Sequence, residues 1–255
     1  MNFLTTLHTD VGIRKDTNQD SALIMEAQTD LGSVLLTVVC DGMGGLANGE
    51  IASATVIHEY VNWFENELPK IITRSDPQKL IFGEWEELIM ESNRKIADYA
   101  GKLGVSMGTT LNAALFMDGK YYIVNVGDSR AYYLSDGLYQ ITKDQTFVQR
   151  EMDMGRMTPE EAAVSPRRSV LLQCVGASRI IKPDYFCGDY TVGQVYMQCS
   201  DGFRHAISPQ ELYRYLNFDA LKDEAMMHDN AVYLTELNKN RHETDNITVL
   251  LVKII

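Results

Sequence analysis

Aspartate residues stand where several short apolar segments of this sequence begin or end. Asp20 and Asp245 lie just before such segments, and Asp41, Asp128 and Asp201 lie just after others. If these ends meet in the folded chain, two ionised carboxylates about 4 Å apart repel each other by roughly 4 kcal/mol at an effective dielectric near 20. A cluster of this kind is therefore stable only if some members are protonated or if cations lie among them.

The chemistry suited to such a cluster is the binding of hard divalent cations. Sites made only of oxygen atoms suit Mg²⁺ or Mn²⁺, whereas zinc prefers histidine or cysteine ligands. Of the five histidines, only His205 and His242 lie near these aspartates along the chain, and we expect both at the surface. None of the four cysteines forms a C-x-x-C pair, so we expect neither a zinc knuckle nor a redox motif, and we expect reduced thiols.

The segment after Asp41 has two other interpretations, a plain turn and a dinucleotide-binding loop. Residues 42–47 fit the pattern G-x-G-x-x-A between a predicted strand and a predicted helix. However, Asp41 and Glu50 would repel the pyrophosphate that a helix N-terminus attracts. The strands that follow also look antiparallel, which a Rossmann half cannot be. We therefore disfavour a nucleotide-binding protein and expect a buried strand that stops at Asp41 and enters a flexible glycine-rich turn.

The elements that must position these aspartates are mostly short strands. Predicted strands cover residues 3–8, 21–26, 33–40, 109–117, 120–126, 131–135, 138–142, a stretch near 185, 195–199 and 246–253. Asp118-Gly119 and Asp136-Gly137 fall between consecutive strands and predict tight hairpins, and hence antiparallel pairing. Helical spacing of apolar residues begins at Asn48 and recurs over about 76–102. This order favours an α+β fold with two packed sheets.

Two capping boxes mark helix starts in the second half of the chain. They are Thr158-Pro159-Glu160-Glu161 and Ser208-Pro209-Gln210-Glu211. The first lies within a polar, helical segment over about 144–168 that is rich in Met and Arg and interrupts the strands. We expect this segment to project from the core.

Composition and charge narrow the classes of function. The chain has 255 residues, 45% of them hydrophobic and 23% charged, as in a globular protein large enough to bury a core. Its 35 acidic residues exceed its 23 basic ones, and the net charge of −12 disfavours nucleic acid or an anionic membrane as a partner. The segment MNFLTTLHTD lacks the features of a signal peptide, and no apolar stretch is long enough to span a bilayer. We expect a cytoplasmic monomer.

Six motifs in order along the chain resemble those of a known enzyme family. They are Asn18-Gln19-Asp20, Asp41-Gly42-Met43-Gly44-Gly45, Gly108-Thr109-Thr110, Gly127-Asp128-Ser129-Arg130, Ser200-Asp201-Gly202 and Asp245-Asn246-Ile247-Thr248. Their order and spacing resemble the metal-dependent serine/threonine protein phosphatases, the PPM or type-2C family, and within it the bacterial branch. The resemblance implies an α-β-β-α sandwich of two antiparallel sheets flanked by helices, in one domain over 1–255 with a flap at about 144–168.

The activity implied by the resemblance is that of an enzyme. It is the hydrolysis of phosphoserine and phosphothreonine in proteins by a water or hydroxide held between two Mn²⁺ or Mg²⁺ ions. The implied substrates are phosphorylated proteins, expected to be those of a serine/threonine kinase. A function of another class is that of a catalytically inactive family member that binds or regulates a kinase. Retention of all five acidic positions argues against that alternative, because an inactive protein has no need of them.

The resemblance also implies roles for individual residues. Asp41 would bridge two tightly bound ions, and the Gly42 carbonyl would bind the second of them. Asp201 and Asp245 would hold the first ion. Asp20 would reach the cluster through bound water. On this assignment catalysis depends on Asp41, Asp201 and Asp245.

The resemblance implies a third ion site, and the sequence departs from the family pattern at two positions. Asp128, together with Asp201, would hold a third, weaker ion. Met43 stands where some members carry a histidine assigned as general acid, so the leaving group here needs another proton donor. The family places a phosphate-binding arginine five residues before the first aspartate, where this sequence has Lys15 with Arg14 beside it. Spacing favours Lys15 and bidentate chemistry favours Arg14, so both are candidates for binding substrate phosphate.

Overall fold

The structure, a computed structural model, describes residues 1–30, 32–44, 48–74 and 76–255. The strands are β1 (Phe3–Asp10), β2 (Asp20–Thr29), β3 (Gly32–Gly44), β4 (Met107–Thr109), β5 (Leu111–Met117), β6 (Lys120–Val126), β7 (Arg130–Leu134), β8 (Leu138–Gln140), β9 (Asp184–Asp189), β10 (Val195–Cys199) and β11 (Ile247–Ile254). The helices are α1 (Gly49–Asn66), α2 (Leu68–Ile71), α3 (Pro77–Leu103), α4 (Phe147–Asp153), α5 (Pro159–Ala163), α6 (Asp201–Arg204), α7 (Pro209–Leu216) and α8 (Glu224–Asn240). Within the described ranges, no helix is both long and apolar enough to cross a membrane.

The strands form two antiparallel sheets. The first has the order β1-β11-β10-β7-β8, and the second has the order β2-β3-β5-β6-β9, with β4 added beside the end of β3. Each neighbouring pair of strands in these orders runs antiparallel, which confirms the pairing predicted from the Asp-Gly turns. At the first of these turns Asp118 and Gly119 both have positive φ, 49° and 74°, as a tight two-residue hairpin requires.

The two sheets pack face to face around a shared apolar layer. Leu35 and Phe116 of the second sheet cluster with Tyr196 and Leu250 of the first, and all four side chains are buried. The rings of Phe116 and Tyr196 lie edge to face with their centroids 4.9 Å apart. Because alternate side chains of a strand point to opposite faces, both outer faces of the sandwich also carry apolar residues that helices must cover.

Helices cover both outer faces, which completes the predicted α-β-β-α sandwich. Over the second sheet, Tyr60 and Trp63 of α1 pack against Trp85 of α3, with ring centroids 5.7 and 5.4 Å apart. Over the first sheet, Phe203 of α6 and Leu234 of α8 are fully buried. Three apolar layers therefore join the four layers of secondary structure.

The end of β3 differs from the sequence-based expectation. The strand was predicted to stop at Asp41, but it continues to Gly44. The reason is a partner: residues 42–44 pair with β4, a short strand that the sequence pattern did not separate from β5. The predicted glycine-rich turn is therefore strand as far as Gly44. Its last residue, Gly45, lies outside the described residues.

The helices of the second half were predicted only in part. Both predicted capping boxes are present, at Thr158 before α5 and at Ser208 before α7. The polar segment over about 144–168 contains α4 and α5 and lies between β8 and β9. α8 was not predicted, because two of its five buried residues, Thr235 and Asn238, are polar and interrupt the apolar pattern.

The start of α1 packs directly against the end of β3. A Cβ atom built on Gly42 would lie 2.3 Å from the Gly49 carbonyl oxygen and 2.4 Å from the Gln19 carbonyl oxygen. A Cβ atom on Gly49 would lie 2.7 Å from the Gly42 carbonyl carbon. Such distances are too short for carbon contacts, and the opposing atoms belong to the backbone and cannot turn aside. The two glycines therefore let helix and strand touch, next to Asp41.

We predict that Gly49→Ala lowers the free energy of unfolding by about 1–3 kcal/mol, the usual cost of forcing an extra carbon into a packed site. Gly101→Ala is the matched control, because Gly101 lies inside α3 with no atom within 4 Å of a built Cβ. Because alanine has a higher helix propensity than glycine, Gly101→Ala should raise the free energy of unfolding by up to about 1 kcal/mol. Urea unfolding measures both changes, and an unaltered Gly49→Ala variant would contradict the described contact.

Candidate active site

Asp20 and Asp41 lie directly opposite each other on neighbouring strands. Asp20 is the first residue of β2, and its partner across the ladder is Asp41 of β3. Thr110 holds the Asp41 backbone from the other side: its Oγ1 accepts the Asp41 N–H at 2.9 Å, and its N–H donates to the Asp41 carbonyl at 2.9 Å. Thr109 Oγ1 donates to the same carbonyl at 3.1 Å. The Gly-Thr-Thr motif therefore fixes the backbone that carries Asp41.

One cavity of about 440 Å³ gathers four of the five predicted aspartates. Its wall includes Asp41, Asp128, Asp201 and Asp245, together with Gly42 and Met43. Asp20 is not part of the wall but is buried beside Asp41, with 8% exposure. The predicted metal-ligating residues, which are far apart in the sequence, thus meet at one end of the sandwich.

Neutral side chains tie the N-terminal loop to this cavity. Asn246 donates from its side-chain amide to two carbonyls of the loop, at 2.9 and 3.2 Å, and accepts the Gln19 N–H at 3.0 Å. Ser200 Oγ donates to Asp20 Oδ2 at 2.9 Å. Sequence reasoning gave Asn246 and Ser200 no role of their own. The only available signal was their position beside Asp245 and Asp201.

The two candidate phosphate-binding cations lie in different places. Lys15 lines the cavity, and its ammonium nitrogen lies 3.0 Å from Asp245 Oδ1. Burial lowers the pKa of Lys15, but the hydrogen bond with Asp245 and the charges of nearby aspartates outweigh burial and raise that pKa above its usual value. Arg14 is exposed and is not part of the cavity wall.

The burial of four of these aspartates makes them hard to ionise. Burial, reinforced by neighbouring carboxylates, raises the pKa of Asp20 to about 7 and the pKa of Asp41 well above its usual range. Burial and repulsion from Asp201 raise the pKa of Asp128 to about 7, against the opposing effect of Arg204. Burial also raises the pKa of Asp201. When these groups are ionised, a bound cation would relieve an unfavourable electrostatic free energy.

Two basic residues that sequence reasoning did not assign lie beside the cluster. Arg204 donates to the Asp128 carbonyl at 3.0 Å, and its Nη2 lies 3.8 Å from Asp128 Oδ2. His205 was expected at the surface; its side chain is 25% exposed, yet its Nε2 lies 3.5 Å from Asp201 Oδ2. Arg204 follows Asp201 by three positions and His205 follows it by four, at α6 and its C-terminal end. This helical spacing is the signal that could have identified them.

The oxygen atoms around the cavity fit hard divalent cations. Asp20 Oδ1 and Asp201 Oδ1 are buried and have no hydrogen-bond partner among the described residues. Carboxylate and carbonyl oxygens form the donor set that suits Mg²⁺ or Mn²⁺. In the part of the chain that the structure describes, no three His, Cys, Asp or Glu side chains already lie close enough to hold one ion. Coordination by three carboxylates therefore requires rotation about the side-chain torsions, and the outer torsion of Asp is broad.

Known proteins resemble this chain over nearly all of its length. A family model described as Protein phosphatase 2C matches residues 12–166. The serine/threonine protein phosphatase PstP of Mycobacterium tuberculosis is 32% identical over 254 residues, which cover 96% of this chain. The same match covers 44% of PstP, so this chain spans less than half the length of that relative.

Solved structures also match nearly the whole length of the chain. Serine/threonine phosphatase Stp1 from Staphylococcus aureus has a TM-score of 0.86 at 31% identity, covering 100% of this chain and 96% of that one. The catalytic domain of PstP, solved in complex with two manganese ions, has a TM-score of 0.80 at 30% identity, covering 99% of this chain and 98% of that one. These matches confirm the sandwich and the family predicted from the six motifs. The chain belongs to the protein phosphatase 2C family, the metal-dependent serine/threonine protein phosphatases.

Proposed function

We propose that this chain hydrolyses phosphoserine and phosphothreonine in proteins, in a reaction that depends on Mn²⁺ or Mg²⁺. The observation that carries the proposal is the convergence of Asp41, Asp201 and Asp245 on one cavity of a protein phosphatase 2C fold. Two tightly bound ions would neutralise the phosphoryl oxygens and activate a water molecule there. The PstP catalytic domain with two manganese ions supports this number and recommends Mn²⁺ for assays.

The ion-binding roles follow from motif and position. Asp41 and the Gly42 carbonyl would hold ions on the β3 side of the cavity. Asp201, at the end of β10, and Asp245, just before β11, would hold one on the opposite side. Asp20, behind Asp41, would act through water, because it is not part of the cavity wall.

Two further residues of the wall bear on the reaction. Asp128, with Asp201, would hold a third, weaker ion; the nearby Arg204 guanidinium competes for the same negative charge. Met43 lines the cavity where a general acid stands in some relatives, and its thioether has no proton to give. The departing serine or threonine oxygen therefore takes its proton from water or from another group.

A catalytically inactive protein that binds or regulates a kinase is the second candidate. Four of the five predicted aspartates line the cavity and Asp20 is buried beside Asp41, and their mutual repulsion has no use in a protein that binds no cations. We further propose a monomer in the cytoplasm that acts in signalling on the substrates of a serine/threonine kinase.

We also propose that the chain forms a single domain in which the segment over about 144–168 is a flap beside the active site. Val148 and Ala162 of this segment line a cavity that also includes Asp128.

We predict that Asp41→Asn and Asp201→Asn each lower Mn²⁺-dependent hydrolysis of p-nitrophenyl phosphate by on the order of a thousandfold. The metal contribution is worth several kcal/mol, and each substitution removes a charged ligand. Asp16→Asn is the matched control, because Asp16 is an exposed loop aspartate outside the cavity wall. Near-normal turnover of either cavity variant at saturating Mn²⁺ would rule out the two-ion assignment. No turnover by the wild type with Mn²⁺ or Mg²⁺ would favour the inactive alternative.

We predict that the metal-free protein becomes less stable as the pH rises from 5 to 8. A carboxyl group whose pKa is raised by folding binds its proton more tightly in the folded state, so its ionisation favours unfolding. The loss begins above the unfolded-state pKa near 4 and is complete above the folded-state pKa, about 7 for Asp20 and Asp128. The free energy of unfolding in chelator should fall by at least about 1.4 kcal/mol, the equivalent of one pKa unit.

Two comparisons test the cause of this pH dependence. Excess Mn²⁺ should remove most of the fall, because ions that bind only the folded state stabilise it. Asp20→Asn should flatten the profile in chelator, since the amide cannot ionise. A free energy of unfolding that rises between pH 5 and 8 would contradict the described burial of the carboxylates.

We predict that only one of Lys15→Ala and Arg14→Ala lowers kcat/KM for a phosphothreonine peptide, by about ten- to a hundredfold, the effect of one lost charged hydrogen bond. The place of Lys15 in the cavity wall supports Lys15, although a guanidinium would bind phosphate more strongly. Calorimetry should show Mn²⁺ binding no weaker in either variant. Wild-type kinetics in both would mean that the ions alone hold the phosphate.

A further inference from the structure

One segment beside the cavity has a charge opposite to that of the protein as a whole. Residues 164–183, here called the rim segment, have the sequence VSPRRSVLLQCVGASRIIKP. It contains four cationic residues and no Asp or Glu, whereas the whole chain has a net charge of −12. All 35 acidic residues of the chain therefore lie outside the rim segment.

The rim segment is part of the cavity wall and is firmly attached to it. Ser169, Leu171 and Ala177 line the same cavity as the predicted metal ligands. Val175 exchanges two backbone hydrogen bonds with Thr109, each 2.8 Å long, and Thr109 is the residue whose hydroxyl holds the Asp41 carbonyl. A peptide whose phosphate enters the cavity can therefore lie against this segment.

The four cations of the rim segment are available to a partner. Arg167, Arg168, Arg179 and Lys182 are all exposed, and none forms an ion pair with any described residue. Arg167 lies over the ring of Phe147 at 5.0 Å, a cation–π contact that leaves its guanidinium without a carboxylate partner among the described residues. Elsewhere on the molecule many exposed cations do pair with carboxylates.

Apolar side chains accompany these cations. Val164 and Ile180 are 80% and 70% exposed, and Val170 and Leu172 are also exposed. A peptide that crosses the rim segment could therefore bury apolar surface while its acidic side chains meet the cations. Nucleic acid or an anionic membrane would offer negative charge as well, but the net charge of −12 would repel such extended surfaces.

We propose that the rim segment binds acidic residues on either side of the phosphorylated residue, so that the preferred substrates are phosphoserine and phosphothreonine in acidic sequences. This inference rests on the proposed phosphatase activity. The overall negative charge of the protein disfavours acidic peptides at long range, and the rim segment reverses that effect locally. Discrimination then arises from charges close to the bound peptide.

The test compares three phosphothreonine peptides of equal length whose flanking residues are Glu, Ala or Lys. For the wild type with Mn²⁺, kcat/KM should be about three- to tenfold higher for the Glu peptide than for the Ala peptide, an advantage that salt reduces. Arg179→Glu/Lys182→Glu should abolish or invert this order while hydrolysis of p-nitrophenyl phosphate stays unchanged. Lys79→Glu/Lys222→Glu is the matched control; both residues are exposed, lie outside the rim segment and should leave the order intact.

The outcomes separate this inference from the phosphatase proposal. If the wild type hydrolyses p-nitrophenyl phosphate but prefers the Ala or Lys peptide, or if the double variant keeps the wild-type order, the inference is wrong and the phosphatase proposal stands. If the wild type hydrolyses nothing, the phosphatase proposal fails, and fluorescence anisotropy of the same peptides then decides the inference through binding alone. Binding of phosphatidylserine vesicles without discrimination among the peptides would identify the rim segment as a membrane contact instead.

Discussion

Repulsion among buried carboxylates at one end of the sandwich is the constraint on which the rest of this structure depends. Asp20 and Asp41 face each other across two strands, and burial raises the pKa values of both. The backbone must hold these groups in place although their charges push them apart. Thr109 and Thr110 clamp the Asp41 backbone, and Ser200 binds Asp20. The motifs of this chain therefore include neutral residues that hold acidic residues close together.

The positions of the carboxylates depend in turn on how the two sheets lie relative to each other. A buried polar network crosses the apolar layer between them. Gln198 of β10 accepts a hydrogen bond from Thr37 of β3 and donates to Asn112 of β5, which donates to Asn125 of β6. Of these strands, β3 carries Asp41, and β6 and β10 end just before Asp128 and Asp201. Because a buried polar network is stable only when all its members are satisfied, it restricts how the sheets can shift.

Charge is arranged in two zones around the cavity. The inner zone is acidic and suits divalent cations, with Lys15 and Arg204 balancing part of its charge. The outer zone, the rim segment, is basic and partly apolar, and it is joined to the inner zone through Thr109. A phosphorylated peptide matches this arrangement. Its dianionic phosphate would bind the cations of the inner zone, and the residues on either side of the phosphate would contact the outer zone. The same local charges would make a molecule of net charge −12 able to accept acidic partners at one face.

Much of this architecture follows from the amino-acid sequence alone. The Asp-Gly turns predicted antiparallel hairpins, the capping boxes at Thr158 and Ser208 predicted helix starts, and the order of six motifs indicated the family. These features depend on local backbone chemistry or on residue type and order, which a sequence displays directly. The requirement for cations likewise followed from the repulsion expected among aspartates at strand ends.

Other features were decided only by the tertiary structure. β3 continues to Gly44 because β4 pairs with it, and Lys15 rather than Arg14 reaches the cavity because Asn246 holds the loop that carries them. The contact between Arg204 and Asp128 depends on the packing of α6 beside the end of β6. In each case the partner is distant in the chain, and no local period or propensity encodes its position. The sequence by itself therefore determined the chemistry and the layers, while long-range hydrogen bonds and packing decided which cation faces which carboxylate.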